Sequence, residues 1–170
     1  EERFPALIKM TESVELFPDI EREIDRIINK YGEVKDTASP QLAEIRRSIL
    51  SAQSSISKTL NAILRQAQAS GIVDKEAAPT IREGRLVIPV AAMNKRKIQG
   101  IIHDESATGK TAFVEPTAVV EVNDRLRELE NEERREIIRI LVEFTNSVRP
   151  YYDAIAQSVS ANRQRAVDTA

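Results

Sequence analysis

Cysteine is absent from this 170-residue sequence, and histidine occurs once. Without thiols the chain can form neither disulfides nor thiolate metal sites, and one histidine is too few for a His-rich metal site. The absence of cysteine also fits a reducing compartment, where disulfides are rare. We therefore expect a cytoplasmic protein without a resident metal.

Aromatic residues are scarce as well: they make up 4% of the chain, tryptophan is missing, and charged residues reach 31%. This composition is typical of long exposed helices rather than of a compact globule with a deep pocket, and it argues against a small-molecule enzyme. No apolar run approaches the roughly 18 residues of a membrane span, and no signal peptide opens the chain. We expect a soluble protein without a membrane partner. The first residue is glutamate, and the last stretch lacks a helix-stopping glycine or proline, so we also expect a piece of a longer polypeptide.

The net charge of −2 conceals a segregation of charge along the chain. Residues 58–110 carry 9 Lys/Arg against 5 Asp/Glu, a balance of +4, whereas residues 1–57 and 111–170 each carry 8 against 11, a balance of −3. A basic middle between acidic flanks is expected where only the middle meets an anion such as nucleic acid. From charge alone, a chance distribution of solvated side chains explains the pattern equally well.

Hydrophobic periodicity predicts four helices, at about residues 19–31, 40–70, 117–148 and 151–165. In the first, Asp19 is the predicted N-cap, an apolar stripe runs from Ile20 to Tyr31, and Gly32 is the predicted stop. Residues 2–10 are predicted to form a helical turn or two. Ser39 and Pro40 suit the start of the second helix.

The two central helices carry apolar residues at alternating spacings of three and four, nearly a heptad seam. In the first of them the seam is Leu42, Ile45, Ile49, Ala52, Ile56, Leu60, Ile63 and Ala67. A helix of this length spans about 45 Å and needs a partner of equal length. The helix after Pro116 supplies one, with only Glu133 interrupting its stripe. The pattern predicts an elongated antiparallel pair of long helices.

Between these helices the sequence turns β-rich, with predicted strands at Leu86–Val90, Ile98–His103 and Thr111–Glu115. Turn-forming residues separate them, and a turn tipped by Asn94-Lys95-Arg96 follows the first strand. We predict a mainly α fold with a small antiparallel β-meander inserted between the long helices. The expected organisation is a first helical part at 1–79, a sheet at 80–116 and a second helical part at 117–170, together forming one elongated domain.

No residue pattern predicts catalysis. Gly109-Lys110-Thr111 ends like a phosphate-binding P-loop, but Asp104 stands where the motif needs glycine, and Thr111 opens a strand instead of a helix. His103 and Asp104 resemble an acid–base pair, yet adjacent strand residues point to opposite faces, which favours a hydrogen-bonded structural histidine. The carboxylates of residues 128–136 alternate with arginines and indicate solvated ion pairs rather than a metal site.

The candidate binding residues are basic. They are predicted to gather on neighbouring turns and to contact phosphates rather than base edges, and they are Lys95, Arg96, Lys97, Arg82, Arg85 and Lys110. No aromatic residue is interleaved with them, so base stacking is not predicted. An ordinary solvated loop is the alternative.

One resemblance adds to these patterns. VIPV at 87–90, GIIHDESATGKTAFVEP at 100–116, AVVEVNDRLRELENEERREI at 118–137 and GEVKDTASPQLAEIRRSI at 32–49 resemble the type-two MutS family of bacteria. The match covers roughly residues 15–150, and its central string of His-Asp, Ser, Gly, Thr, Phe and Glu-Pro is specific.

The resemblance implies the core and lever portion of a MutS-like ATPase, with a reduced substitute for the DNA-gripping clamp. In that family an ATPase, with its ATP and Mg²⁺, follows the lever and mediates homodimerisation, and a Smr nuclease domain usually ends the chain. The family is linked to branched DNA and the restraint of recombination, or to collided ribosomes, so nucleoid or ribosome association in a bacterial cytoplasm is implied. No Walker motif is present here, so neither hydrolysis nor strand cleavage is assigned to these residues. A structural coiled-coil spacer with protein or ribosomal partners and, less favoured, a P-loop hydrolase using Lys110 are the alternative functions.

Overall fold

A computed structural model describes residues 15–168 of the chain, with side chains described for residues 15–160; the helical turns predicted at 2–10 lie outside this part. The helices of the described part are α1 Pro18–Ile27, α2 Pro40–Ala69, α3 Thr117–Val148 and α4 Tyr152–Asp168. Its strands, all between α2 and α3, are β1 Thr80–Arg82, β2 Arg85–Ala91, β3 Gly100–Glu105 and β4 Thr111–Pro116. This confirms a mainly α chain with a small antiparallel sheet inserted between the two long helices.

The chain divides into two compact units. Residues 15–40 and 136–168 form the helical unit, and residues 41–135 form the sheet unit, which contains all four strands.

The first helix is shorter than predicted. It begins at Pro18 with Phe17 as its N-cap residue, so Asp19 lies in the first turn instead of capping it. It ends at Ile27 because Ile28 is extended and bridges to Val34. Tyr31 is consequently not on the buried stripe and is 75% exposed.

The helical unit contains a buried carboxylate, Glu136. Ser39 Oγ donates to Glu136 Oε1 at 2.6 Å, and Arg139 donates from Nε and Nη2 to its two oxygens at 2.7 and 2.6 Å. The hydrogen bonds from Arg139, helped by the one from Ser39, outweigh the opposing desolvation and lower the pKa of Glu136 to about 2. The bond from Ser39, the residue before α2, ties the start of α2 to the middle of α3.

The sheet unit has strand order β1-β2-β4-β3, with every pair antiparallel. The predicted meander is therefore wrong, because β4 lies between β2 and β3. The connection from β2 to β3 contains a 3₁₀ helix, Ala92–Lys97, in place of a tight turn, whereas a short turn closes β3 onto β4. Strand β1 was not predicted. It forms a hairpin with β2 through Glu83 and Gly84, whose φ angles of +51° and +74° suit a type I′ turn.

The core of the sheet unit joins the two helical seams to the sheet. Its buried side chains are Ile45, Ile49, Ile56, Leu60, Leu64, Ala67, Val73, Ile88, Val90, Ile98, Val114, Val119, Leu126 and Leu129. Glu133, which interrupts the stripe of α3, accepts a hydrogen bond of 2.7 Å from Arg46 Nε. Arg46 lies near the start of α2, and Ala67 near its end lines a groove with Thr117 at the start of α3. Within this unit the two helices run antiparallel.

Candidate nucleic-acid interface

Three of the six candidate cations, Lys95, Arg96 and Lys110, lie at the end of the sheet where Ala91 pairs with Thr111. Lys95, Arg96 and Lys97 form the last turn of the 3₁₀ helix that follows β2. The first residue of that helix, Ala92, donates its N–H to Lys110 O at 2.9 Å, which places the turn before β4 beside it. Lys97 lies further along the connection to β3 and lines a groove with Pro116 and Thr117, towards the other end of β4. We call Lys95, Arg96 and Lys110 the basic end of the sheet.

The side chains of the basic end and of Lys97 are not equally free. Lys95 Nζ lies 2.7 Å from Glu105 Oε1, so part of its charge is compensated. Arg96, Lys97 and Lys110 are exposed, and within the described part of the chain none of them forms an ion pair. These three cations are open to an anionic partner.

The backbones of Arg82 and Arg85 lie at the opposite end of the sheet, although the Arg82 side chain reaches back to Phe113 and Asp104. Arg82 and Arg85 face each other across the β1–β2 hairpin, whereas the far end of β2 is marked by the pairing of Ala91 with Thr111. The structure therefore brings three of the six predicted residues together.

The guanidinium of Arg85 is occupied by two carboxylates. Its Nη1 donates to both oxygens of Glu115, at 2.8 and 3.1 Å, and its Nη2 donates to Asp124 on α3. The bond to Asp124, and after it the bonds to Glu115, raise the pKa of Arg85 above its already high ordinary value. The side chain is only 15% exposed, so Arg85 contributes mainly to internal pairing.

Glu115 is the centre of this network and is fully buried. Besides the bonds from Arg85 it accepts one of 2.7 Å from Asn123 Nδ2, and His103 Nε2 lies 2.6 Å from its Oε2. Strands β2, β3 and β4 and the second turn of α3 thus meet at one carboxylate. Sequence reasoning missed Glu115 and Asn123, and the one available signal was a carboxylate inside an otherwise apolar strand.

A β-bulge aims His103 at Glu115. Ile102 pairs with Val114 and Asp104 pairs with Phe113, which leaves His103 as the extra residue. The expectation that His103 and Asp104 point to opposite faces is therefore wrong, because a bulge breaks the alternation. His103 contacts Glu115, and Asp104 lies 3.6 Å from Arg82, which covers the neighbouring Phe113. The histidine is hydrogen-bonded and interior, as a structural role requires.

The Gly109-Lys110-Thr111 segment closes a turn. Gly109 has φ of +66° and donates its N–H to Ser106 O at 2.7 Å, and Thr111 begins strand β4. A P-loop needs a helix after the lysine, whose free N–H groups would bind phosphate. The geometry of this segment is that of a hairpin connection.

The helical carboxylates pair with arginines as expected. Arg125 Nη1 lies 3.1 Å from Glu128 and 3.2 Å from Glu132, both on α3. Across residues 15–160, whose side chains are described, no three acidic, histidine or cysteine side chains are grouped so as to hold a metal ion.

Within the same described range, no helix combines the length and apolar character needed to cross a bilayer.

Comparison with known proteins places the chain among relatives. No family model matches it. Endonuclease MutS2 of Pelotomaculum thermopropionicum is 41% identical over 161 residues, which are 95% of this chain and 20% of that protein. Endonuclease MutS2 of Symbiobacterium thermophilum is 40% identical over 96% of this chain and 20% of its own length, and that of Acetivibrio thermocellus is 44% identical over 83% and 18%.

The match covers nearly all of this chain but about one fifth of each relative. Identity at this level over some 160 residues confirms the resemblance found in the sequence. The chain therefore corresponds to a segment, about one fifth in length, of a MutS2-type protein.

Proposed function

We propose that this chain is the core and lever portion of a MutS2-type protein and that the basic end of its sheet contacts nucleic acid. The observation that carries the proposal is the grouping of Arg96 and Lys110, exposed and without ion pairs in the described part, beside Lys95, with Lys97 exposed further along the same connection. Phosphates attract such a cluster without regard to base sequence. The relatives' name, endonuclease, supports a nucleic-acid substrate for the parent protein.

In this proposal α2 and α3 transmit the state of the parent's ATPase to the sheet. They are 30 and 32 residues long and pack against each other through the apolar core of the sheet unit. A pair of packed helices moves as a stiff body, so a displacement at one place is carried along it. ATP, Mg²⁺, strand cleavage and homodimerisation belong to the rest of the parent, which we expect to restrain recombination at branched DNA in the bacterial cytoplasm.

The test uses the intact parent protein. Replacing Lys95, Arg96 and Lys97 with alanine should weaken binding to branched duplex and reduce the slope of log affinity against log salt by about 2 to 3, since each lost phosphate contact lowers the slope by about 0.9. The paired Lys95 should contribute least.

The matched control removes three exposed cations from the long helices of the same unit, Arg47, Arg134 and Arg135. The slope of log affinity against log salt of this control variant should stay near that of the unmodified protein. Unchanged affinity in the sheet variant, or equal losses in both variants, would refute the proposal. Branched DNA and ribosomal RNA measured side by side show which of the two ligands is preferred.

A structural spacer with a protein or ribosomal partner is the second candidate. Strand β3 forms an edge of the sheet and exposes Ile101 and Ile102 at 48% and 42% of their surfaces. Exposed apolar side chains on an edge strand are typical of protein contacts. Ile101→Ser with Ile102→Ser should then abolish a protein interaction while leaving the salt dependence of nucleic-acid binding unchanged.

A P-loop hydrolase at Lys110 is the third and least supported candidate. Calorimetric titration of the chain with nucleotide should give no heat of binding. If the chain binds nucleotide measurably and Lys110→Ala abolishes that binding, this function would be established instead.

A further inference from the structure

The sheet holds an arginine stacked on an aromatic ring. The guanidinium carbon of Arg82 lies 4.0 Å from the centre of the Phe113 ring. Phe113 is 8% exposed, so its outward face is covered by Arg82, whereas the Arg82 side chain is 39% exposed. A cation over an aromatic face is attracted by the ring quadrupole. The pair therefore presents the outer side of a guanidinium to solvent.

Two further contacts hold this side chain in place. Arg82 Nη1 donates to Ile81 O at 3.0 Å, and Arg82 Nε lies 3.6 Å from Asp104 Oδ2. A free surface arginine samples many rotamers, and fixing it costs side-chain entropy. Arg82 meets a ring, a carbonyl and a carboxylate, and is thus ordered before any partner arrives.

The backbone next to Arg82 is strained. Glu83 has φ of +51°, and in residues 15–168 no other non-glycine residue has a positive φ. Such conformations cost free energy and concentrate at functional sites. Here the strained residue closes the tight hairpin that sets where β1 ends and where Arg82 projects.

We propose that the outer face of Arg82 is a stacking surface for an unpaired nucleobase. The proposal rests on the nucleic-acid binding proposed above and assigns Arg82 a different role from a phosphate contact. Unstacked bases stack on arginine planes and on aromatic rings in many nucleic-acid complexes. The carboxylate of Asp104, 3.6 Å from Arg82 Nε, repels a phosphate but not an uncharged base.

The spacing suits a nucleotide chain that also reaches the basic end. Thr111, the first residue of β4, follows Lys110 directly, and Phe113 lies two residues beyond Thr111. The distance from Thr111 to Phe113 along β4 is about 7 Å. A base on Arg82 can therefore belong to the same strand as phosphates held one or two nucleotides away. The substrate class that follows is branched or looped nucleic acid that offers an unpaired base, in preference to a perfectly paired duplex.

The experiment places 2-aminopurine at the unpaired position of a looped duplex and measures its fluorescence with the intact parent protein. Stacking on Arg82 should quench the emission. Arg82→Lys keeps the charge but removes the planar surface, and Phe113→Leu removes the supporting ring while keeping an apolar side chain. Both variants should lose the quenching, and the ratio of affinities for looped over fully paired duplex should fall about tenfold.

Arg125→Lys is the matched control, because Arg125 is an exposed arginine of the same unit that contacts carboxylates on α3. It should quench like the unmodified protein. If folded Arg82→Lys quenches the emission as strongly as the unmodified protein, the inference is overturned. It is also overturned if Arg82→Lys loses binding to a protein partner while the quenching is unchanged. If salt-dependent binding survives in either case, the proposed function stands; if the unmodified protein binds no nucleic acid, the proposed function fails as well.

Discussion

A buried carboxylate organises the sheet unit at the level of single residues. Glu115 has no exposed surface, and its oxygens are reached by Arg85, Asn123 and His103. Taking a carboxylate out of water is costly unless charge and hydrogen bonds compensate it. The groups that compensate the Glu115 carboxylate come from three other elements of the unit. Glu115, the side chain that is most costly to bury, therefore also fixes the positions of these three elements.

Glu115→Gln tests this account. The substitution keeps the shape of the side chain but leaves Arg85 with only the exposed carboxylate of Asp124. Breaking a buried ion pair costs about 3 kcal/mol of the free energy of unfolding. Urea titration of the chain should show this loss. Asp124→Asn should cost less than about 1 kcal/mol, because Asp124 is 54% exposed. Equal losses in the two variants would contradict the central role of Glu115.

Gly100 permits a close approach between β3 and β4. A Cβ at this position would lie 2.1 Å from the carbonyl oxygen of Glu115, a backbone atom that cannot move without breaking the strand pairing. Gly100→Ala should therefore lower the free energy of unfolding by about 3 kcal/mol. Gly109→Ala is the control. A Cβ at Gly109 meets nothing within 4 Å, so only its positive φ opposes the change, at about 1 kcal/mol. Thermal unfolding of both variants tests this: a larger loss in Gly100→Ala indicates the close approach of β3 and β4, whereas equal losses indicate a general intolerance of glycine replacement.

At the level of elements, sequence periodicity predicted the long helices well and the strand order poorly. The bounds of α2 and α3 follow from Pro40, Gly71 and Pro116, whose backbone effects are local. The position of β4 between β2 and β3 depends on which strands pair, and pairing is decided by long-range contacts absent from any local window. Single positions such as the bulge at His103 were hidden for the same reason.

The basic residues show the same limit. Their positions on turns and strand ends could be read from the sequence, but the occupancy of Arg85 by Glu115 and Asp124 depends on partners 30 and 39 residues away. Phe113 likewise comes to lie under Arg82 only through folding. Charge patterns therefore locate a candidate surface, whereas the structure decides which cations remain available.

The junction of α2 and α3 in the helical unit should respond to acid. The hydrogen bonds from Arg139 lower the pKa of Glu136 from its ordinary value of 4.5 to about 2 in the folded chain. Because the folded pKa is depressed, the associated stability is fully present above about pH 4.5 and is lost as the pH falls towards 2. Glu136→Gln should cost about 2 kcal/mol at pH 7 and remove this part of the pH dependence.

Glu143→Gln is the control for that pH profile. Glu143 pairs with the same Arg139 but is 67% exposed. Unfolding free energies measured between pH 2 and 7 should follow the unmodified chain in this control and flatten in Glu136→Gln. A slope below pH 4.5 that persists in Glu136→Gln would assign the acid response to other carboxylates.

At the scale of the whole molecule, the division into two units predicts that damage stays local. Glu115 belongs to the sheet unit and Glu136 to the helical unit, and each is bonded only to residues of its own unit among the contacts described above. Regions that unfold separately exchange their amide hydrogens with separate opening free energies. A loss of about 1.4 kcal/mol makes such exchange tenfold faster.

In hydrogen-exchange mass spectrometry, Glu115→Gln should accelerate exchange at least tenfold in residues 80–116 while leaving residues 18–40 near the unmodified rate. Glu136→Gln should show the reverse. If either variant accelerates hydrogen exchange equally in both regions, the chain opens as one cooperative body. A signal passed through α2 and α3 would then depend on the stability of the whole chain rather than on the motion of a stiff pair of helices.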